Sequence, residues 1–208
     1  MSSATARSLA HHPHSGRCPP DLRECLRAAT SDAHARLDAL LADLDLRERR
    51  AYRTFLEVSA AALLPLEDAL TAADVARIFP DWSERARSDA LRADLERIGG
   101  EVRPLRLAAE LDHDGVLGAM YVLEGSRLGA RALLKQAAAS ADPIVAGATA
   151  YLRHGMGQPL WPSFLIALES HAESLVDPEG AIAGADLAFA HFTQAVLATR
   201  TFARASRP

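Results

Sequence analysis

Apolar residues recur at intervals of three or four along most of this chain, which is the spacing of one face of an α-helix. The first such stripe begins after Asp21 and consists of Leu22, Leu26, Ala29, Ala33, Leu37, Leu40 and Leu44. Similar stripes predict further helices over about 48–76, 84–98, 103–111, 115–139, 143–155, 162–174 and 180–203. Pro65 predicts a bend in the second helix, because proline lacks the amide hydrogen that the helix would use there.

The pattern and the composition both favour helices over sheets. We find no run that alternates apolar and polar residues as a half-buried strand does, and no internal repeat. Aromatic residues make up only 5% of the chain, whereas alanine and leucine are abundant. Residues 1–20 show no periodicity and are predicted to form a flexible N-terminal arm. The 208 residues therefore predict an all-α protein, with one bundle of about seven or eight helices over 21–208.

Charge and cysteine content narrow the classes of partner. The formal net charge of −4 provides no general positive field for nucleic acid. No apolar run approaches the roughly 20 residues needed to cross a membrane, and the N-terminus lacks the pattern of a secretory signal. Cys18 and Cys25 fit neither a zinc motif nor a disulfide framework. These features predict a cytoplasmic protein with reduced thiols and with no nucleic-acid or membrane partner.

A histidine on the first helix is the first candidate for chemistry. His34 lies at the edge of the apolar stripe, one turn after Thr30, in the segment LRAATSDAHARLDALL. Neutral imidazole is an axial ligand for haem iron, and Asp38 at i+4 can hydrogen-bond its other ring nitrogen. Arg27 lies two turns earlier on the same face. The alternative is a half-buried histidine at the edge of the core, with Arg27 and Asp38 merely solvated.

Three glycines inside one apolar helix are the second candidate. Gly118, Gly125 and Gly129 share a face of the segment LGAMYVLEGSRLGARALL. Each glycine inside a helix lowers its stability by roughly 0.5–1 kcal/mol relative to alanine. A face with three glycines therefore predicts that another group packs closely against the helix backbone. Another helix would need that surface, and so would a planar macrocycle. Ser126 adds a hydroxyl that can hold water near a bound ligand.

The remaining patterns exclude other site classes. Glu110 and His113 form an ExxH pair, but a four-helix di-iron site needs two such pairs and the sequence has no second. No phosphate-binding loop, nucleophile elbow or zinc signature is present in the sequence.

The two candidate segments resemble a known family. GAMYVLEGSRLGA resembles the distal helix of bacterial haem oxygenases, especially those associated with bacteriophytochromes, and LRAATSDAHARLD resembles their proximal helix. The resemblance extends over roughly 22–203. It implies that His34 is the axial ligand of the haem iron, oriented by Asp38, and that the distal backbone against haem comes from Gly125, Ser126 and Gly129. It also implies that Arg27 and Tyr121 contact the propionates.

The resemblance carries an expected reaction with it. Haem would be cleaved by oxidation at a meso carbon, giving biliverdin, carbon monoxide and ferrous iron. Molecular oxygen and an external electron donor, a ferredoxin or a reductase, would be required, and a bacteriophytochrome would receive the bilin. One position departs from the pattern, because Ala130 follows Gly129 where many relatives have a second glycine. The alternative function is a haem or bilin carrier or sensor without turnover.

Overall fold

The regular secondary structure of the described residues is helical. The computed structural model describes residues 21–172 and 178–205, with side chains as far as 199. In those ranges the order of the helices is α1 Leu22–Leu41, α2 Arg49–Ala72, α3 Trp82–Arg85, α4 Ser88–Ile98, α5 His113–Ala138, α6 Pro143–Gly147, α7 Ala150–Arg153, α8 Leu160–Ala172 and α9 Glu179–Ala205. A 3-10 turn over Val75–Arg77 follows α2. The all-α fold class is confirmed, while the predicted arm over 1–20 lies outside the described residues.

Local sequence explains where several helices begin and end. The side chains of Asp21, Asp112 and Asp142 accept hydrogen bonds from backbone N–H groups in the first turns of α1, α5 and α6. Such caps satisfy donors that the helix itself leaves free. Gly99 ends α4 with φ at 71°, in the left-handed region that favours glycine.

The helix predicted over 103–111 is wrong. This segment is irregular, and backbone donors in it and just before it bond to α2. Leu105 N donates to the carbonyl of Ala61, and Glu101 N donates to the carboxylate of Glu57. The segment thus follows an irregular path across α2. The apolar spacing that suggested a helix reflects contacts with the core, such as those of Leu105.

Two other predicted helices are each divided by a carboxylate from elsewhere in the chain. Buried Glu67 of α2 accepts bonds from Arg87 N and Ser88 N, so a new helix begins at Ser88. Buried Asp94 of α4 accepts bonds from Ala150 N and Tyr151 N, and α7 begins there. The stretches predicted as 84–98 and 143–155 are therefore α3 with α4, and α6 with α7.

The long helices α1, α2 and α5 pack around α9. The closest approach joins α5 to α9, where both helices have small residues. A Cβ built on Gly118 would lie 1.7 Å from the carbonyl oxygen of Ala181, and one on Gly184 would lie 2.1 Å from that of Gly115. Gly118 therefore lies at a helix–helix contact, which corrects the prediction of one continuous bare face.

The C-terminal helix also changes the expectation about apolar runs. Within the described residues, Glu179–Thr199 is the one stretch that is long and apolar enough to cross a membrane. The expectation that no such run exists is wrong. Contacts with α1, α2 and α5 bury 44% of its most apolar window.

The cysteine expectation is also wrong at one position. Cys25 is buried on α1 and is disulfide-bonded, so its thiol is not reduced. The other cysteine of the chain, Cys18, lies outside the described residues.

Replacing Gly118 by alanine should destabilise the protein by about 1–3 kcal/mol, because the new methyl must separate α5 from α9. Gly129→Ala on the same helix is the matched control. Gly129 has open space at its Cβ position, so that variant should be more stable by up to about 1 kcal/mol. Urea unfolding of both variants measures the difference. A neutral Gly118→Ala would contradict the close contact with α9.

Candidate functional site

Helices α1 and α5 run in the same direction, so candidate residues at matching positions along the two helices lie at the same height. The side chain of Tyr121 on α5 lies next to that of Thr30 on α1. The far ends of the two helices together line a groove of about 550 Å³, with the loop after α1 on one side and the last turn of α5 on the other. One turn beyond the Thr30–Tyr121 contact lie His34 on α1 and Gly125 on α5, so the two segments singled out in the sequence lie side by side.

His34 presents an accessible imidazole that is fixed from one side. Its side chain is 64% exposed, and its Nδ1 lies 3.2 Å from a carboxylate oxygen of Asp38. The ring also meets Phe189 of α9 edge to face, with 5.8 Å between centroids. A carboxylate at Nδ1 favours a proton on that nitrogen, which leaves the lone pair on Nε2 for a metal. The pair has the geometry that the spacing predicted.

The bare face of α5 is closed at one end and open at the other. At Gly118 the backbone of α9 fills the space, as described above. A Cβ on Gly125 would meet only the Cζ3 atom of Trp161, at 3.8 Å, and a Cβ on Gly129 would have nothing within 4 Å. No contact among the described residues therefore requires the absence of a side chain at Gly125 or Gly129, although each glycine weakens the helix.

Two arginines lie near the first turns of α1, beside two acidic residues. Burial raises the pKa of Tyr121, and the positive charges of Arg23 and Arg27 oppose that rise. Both arginines, with Asp21 and Glu24, line a small cleft of about 210 Å³. Arg27 and Tyr121, which the resemblance paired, thus lie near one another. Arg23 was not singled out in the sequence, since nothing in the spacing distinguishes it from a solvated arginine.

Ser126 faces a different side of α5. Its hydroxyl donates to the carbonyl of Leu123 at 2.7 Å and accepts from both terminal nitrogens of Arg87, each at 3.1 Å. The Arg87 guanidinium also lies over the ring of Tyr151. The Ser126 hydroxyl is thus hydrogen-bonded to Arg87, and a role for Ser126 toward a bound ligand stays a prediction.

Ala130, the position that departs from the family pattern, packs against the hydrophobic core. Ala130 is partly buried and packs against the main hydrophobic cluster. Its methyl group therefore has packing partners within the protein, unlike a methyl group at Gly129.

A buried ionic cluster supports α5 from behind. Glu124 is 1% exposed, and its two oxygens lie 3.1 Å from Arg85 Nη1 and 3.0 Å from Arg127 Nε. Arg85 is equally buried and also pairs with Asp81 at 2.7 Å. Charges removed from water in this way need partners on every side. The cluster ties the segment just before Gly125 to α3 and to the start of α8, where Arg85 donates to the carbonyl of Leu160. The sequence analysis missed it, because Arg85 and Glu124, which join its two local ion pairs, are far apart along the chain.

His154 completes that cluster as a neutral base. Arg127 Nη1 lies 3.2 Å from His154 Nδ1, and arginine has no acceptor, so Nδ1 must be unprotonated. Burial, with the charges of Arg127 and Arg87, lowers the pKa of His154 to about 4.

The chain matches known proteins over most of its length. It is 32% identical to the haem oxygenase PigA of Pseudomonas aeruginosa over 196 residues, which covers 89% of this chain and 98% of that protein. It is 34% identical to a haem oxygenase of Xanthomonas campestris over 112 residues, covering 53% of this chain and 67% of the relative. No protein-family model matches the chain.

The fold also matches a solved structure. The crystal structure of the NO- and CO-bound haem oxygenase from Neisseria meningitidis aligns with a TM-score of 0.67 at 22% identity, covering 86% of this chain and 92% of that one. At that identity the match shows the shared fold.

Because of His154, the free energy of unfolding should decrease as the pH is lowered from about 6.5 to about 4. The unfolded chain binds the proton at the ordinary pKa and the folded protein only near 4, so acid favours unfolding across that window. His154→Gln keeps an acceptor for Arg127 without titrating. Between pH 7 and pH 4.5 the variant should lose about 1 kcal/mol less free energy of unfolding than the parent protein. This value includes a reduction for solvent screening. Equal slopes in urea unfolding of the two proteins would contradict the role of His154.

Proposed function

The chain belongs to the haem oxygenase family, whose activity is the degradation of haem to biliverdin, and we propose that it performs this reaction between α1 and α5. The observation that carries the assignment of the site is the bare face at Gly125 and Gly129. These glycines weaken α5, and no contact in the described part of the chain requires them. A flat ligand against the helix backbone would require them. The imidazole of His34 lies on the neighbouring helix at the same level, as the Thr30–Tyr121 contact indicates.

The residues present fit an iron porphyrin. We assign His34 as the axial ligand, because its ring is accessible and Asp38 holds Nδ1. Gly125 and Gly129 provide the distal surface, and Ser126 holds the adjoining turn of the helix through Arg87. When bound, haem supplies the iron that activates oxygen and is itself the molecule that is cleaved. The protein binds it, orients it and limits the access of water.

The edge of the macrocycle that carries the propionates is assigned to the start of α1. Arg27 is exposed there and Tyr121 lies nearby, so an arginine–carboxylate pair can form together with a phenol hydrogen bond. The departure at Ala130 is compatible with this arrangement, because its methyl group already has partners in the core.

Finer parts of the proposal concern the reaction and its partners. We propose cleavage at a meso carbon, with carbon monoxide and ferrous iron as the further products, and with oxygen and electrons from a ferredoxin or a reductase. The likeness of the two helices to enzymes associated with bacteriophytochromes supports a bacteriophytochrome as the acceptor of the bilin. A cytoplasmic location stays a prediction from the sequence.

The experiment that tests the function mixes purified protein with haemin and then adds ascorbate, or a ferredoxin with its reductase, in air. An enzyme loses the Soret band and gains the absorbance of biliverdin. A Soret band that persists unchanged under both reductants would identify a carrier or sensor and overturn the proposal.

His34→Ala should abolish biliverdin formation, while the helix stays intact because alanine is a good helix former. Added imidazole should restore part of the activity by occupying the vacated position. Asp38→Asn should lower activity by about 10–100-fold, the usual effect of removing a group that orients a metal ligand. His113→Ala, an exposed histidine at the start of α5, is the matched control. A haem spectrum and rate unchanged in His34→Ala would show that another residue binds the iron.

Gly129→Ala separates a functional glycine from a structural one. The free energy of unfolding without haem should rise by up to about 1 kcal/mol, whereas haemin affinity should fall, because the methyl group enters the proposed distal surface. Haemin titration followed at the Soret band measures the second effect. Ala132→Gly, on an exposed turn of the same helix, is the reverse control and should weaken only the helix. Unchanged haemin affinity in Gly129→Ala would remove Gly129 from the site.

A further inference from the structure

Trp161 borders the uncovered part of the bare face of α5 at its Gly125 end. It is the first side chain that a group on Gly125 would meet, with Cζ3 3.8 Å from the ideal Cβ position. Toward Gly129 there is nothing within 4 Å. The surface between the two glycines is therefore asymmetric, because it has an aromatic wall at the Gly125 end and open space at the other.

The indole is held in place by three neighbours. Its ring stacks on Phe164, which is fully buried, at 5.4 Å between centroids and an interplanar angle of 27°. Tyr121 lies beside it at 6.1 Å. The guanidinium of Arg23 lies over the ring at 5.9 Å from the centroid, within the range of a cation–π contact. A side chain held in this way cannot turn aside at low cost, so it acts as a fixed wall.

We propose that Trp161 is a specificity-determining residue, whose indole limits how far a macrocycle on the Gly125–Gly129 face can shift or rotate toward Gly125. This inference rests on the proposed function. Rotation of haem in its own plane decides which meso carbon lies beneath the distal helix, so the position of the wall selects the bilin isomer. Arg23 contributes by holding the indole and is a positioning residue.

The experiment compares Trp161→Ala and Trp161→Phe with Trp82→Phe in the full-length protein. Trp82, on α3, donates a hydrogen bond to Thr71 at the end of α2 and is the matched tryptophan control. Each variant is titrated with haemin at the Soret band. Proton NMR of the cyanide-inhibited ferric complex then resolves the haem methyl signals, whose pattern reports in-plane orientation without turnover. Bilin isomers are separated by chromatography afterwards.

Trp161→Ala should bind haemin and change the ratio of two haem orientations by about fivefold, equivalent to about 1 kcal/mol of lost steric discrimination. The isomer ratio should follow, Trp161→Phe should change less in the same direction, and Trp82→Phe should match the parent protein. Wild-type methyl patterns and isomers in a haem-loaded Trp161→Ala would overturn the proposal and leave the indole as a core residue. If Trp161→Ala does not fold, the same criterion is applied to Trp161→Phe and Trp161→Leu. Failure of the parent protein to bind haemin would instead overturn the proposed function, and this inference with it.

Discussion

The contact between the backbones of α5 and α9 sets the arrangement of the whole site. At Gly118 and Gly184 the two helices come closer than a side chain would allow. Because α9 also packs on α1 and α2, this contact fixes the position of α5 relative to α1. The same bare face then continues beyond α9 to Gly125 and Gly129. A single stripe of glycines therefore serves two purposes, since its first part joins two helices and its second part is left uncovered.

The side of α5 that carries Glu124 holds a buried cluster of charged and polar groups, in contrast to the glycine face. Glu124 and its two arginines are almost inaccessible to water, and Ser126 is bonded to a third arginine. Burying charges is unfavourable unless they are well paired, so this cluster is weak evidence for extra stability. It does restrict the rotation and translation of the segment around Gly125. A helix that presents only backbone to a ligand has no side chains with which to adjust, and its own position must therefore be well fixed.

The sequence predicted the elements that have a continuous apolar stripe, and it failed where a remote residue decides the local structure. The helices α1, α2, α5, α8 and α9, and the pairing of His34 with Asp38, followed from spacing alone. The breaks before α4 and α7 did not, because Glu67 and Asp94 reach them from other helices. The two uses of the glycine face could not be separated either, since periodicity shows that residues share a face but not where a neighbouring helix leaves it. Arg23 and Trp161 were missed because their spacing does not distinguish them from a solvated arginine and a core aromatic residue.

The carboxylates that cap helices from a distance also impose an order on the assembly of this protein. Glu67 of α2 satisfies the first amides of α4, and Asp94 of α4 satisfies those of α7. A helix of four residues such as α7 has too few internal bonds to persist alone. It therefore exists only while α4 is formed, and α4 depends in turn on the end of α2. These three segments should open and close together as one cooperative unit in native-state amide exchange, although 51 residues separate the end of α4 from the start of α7.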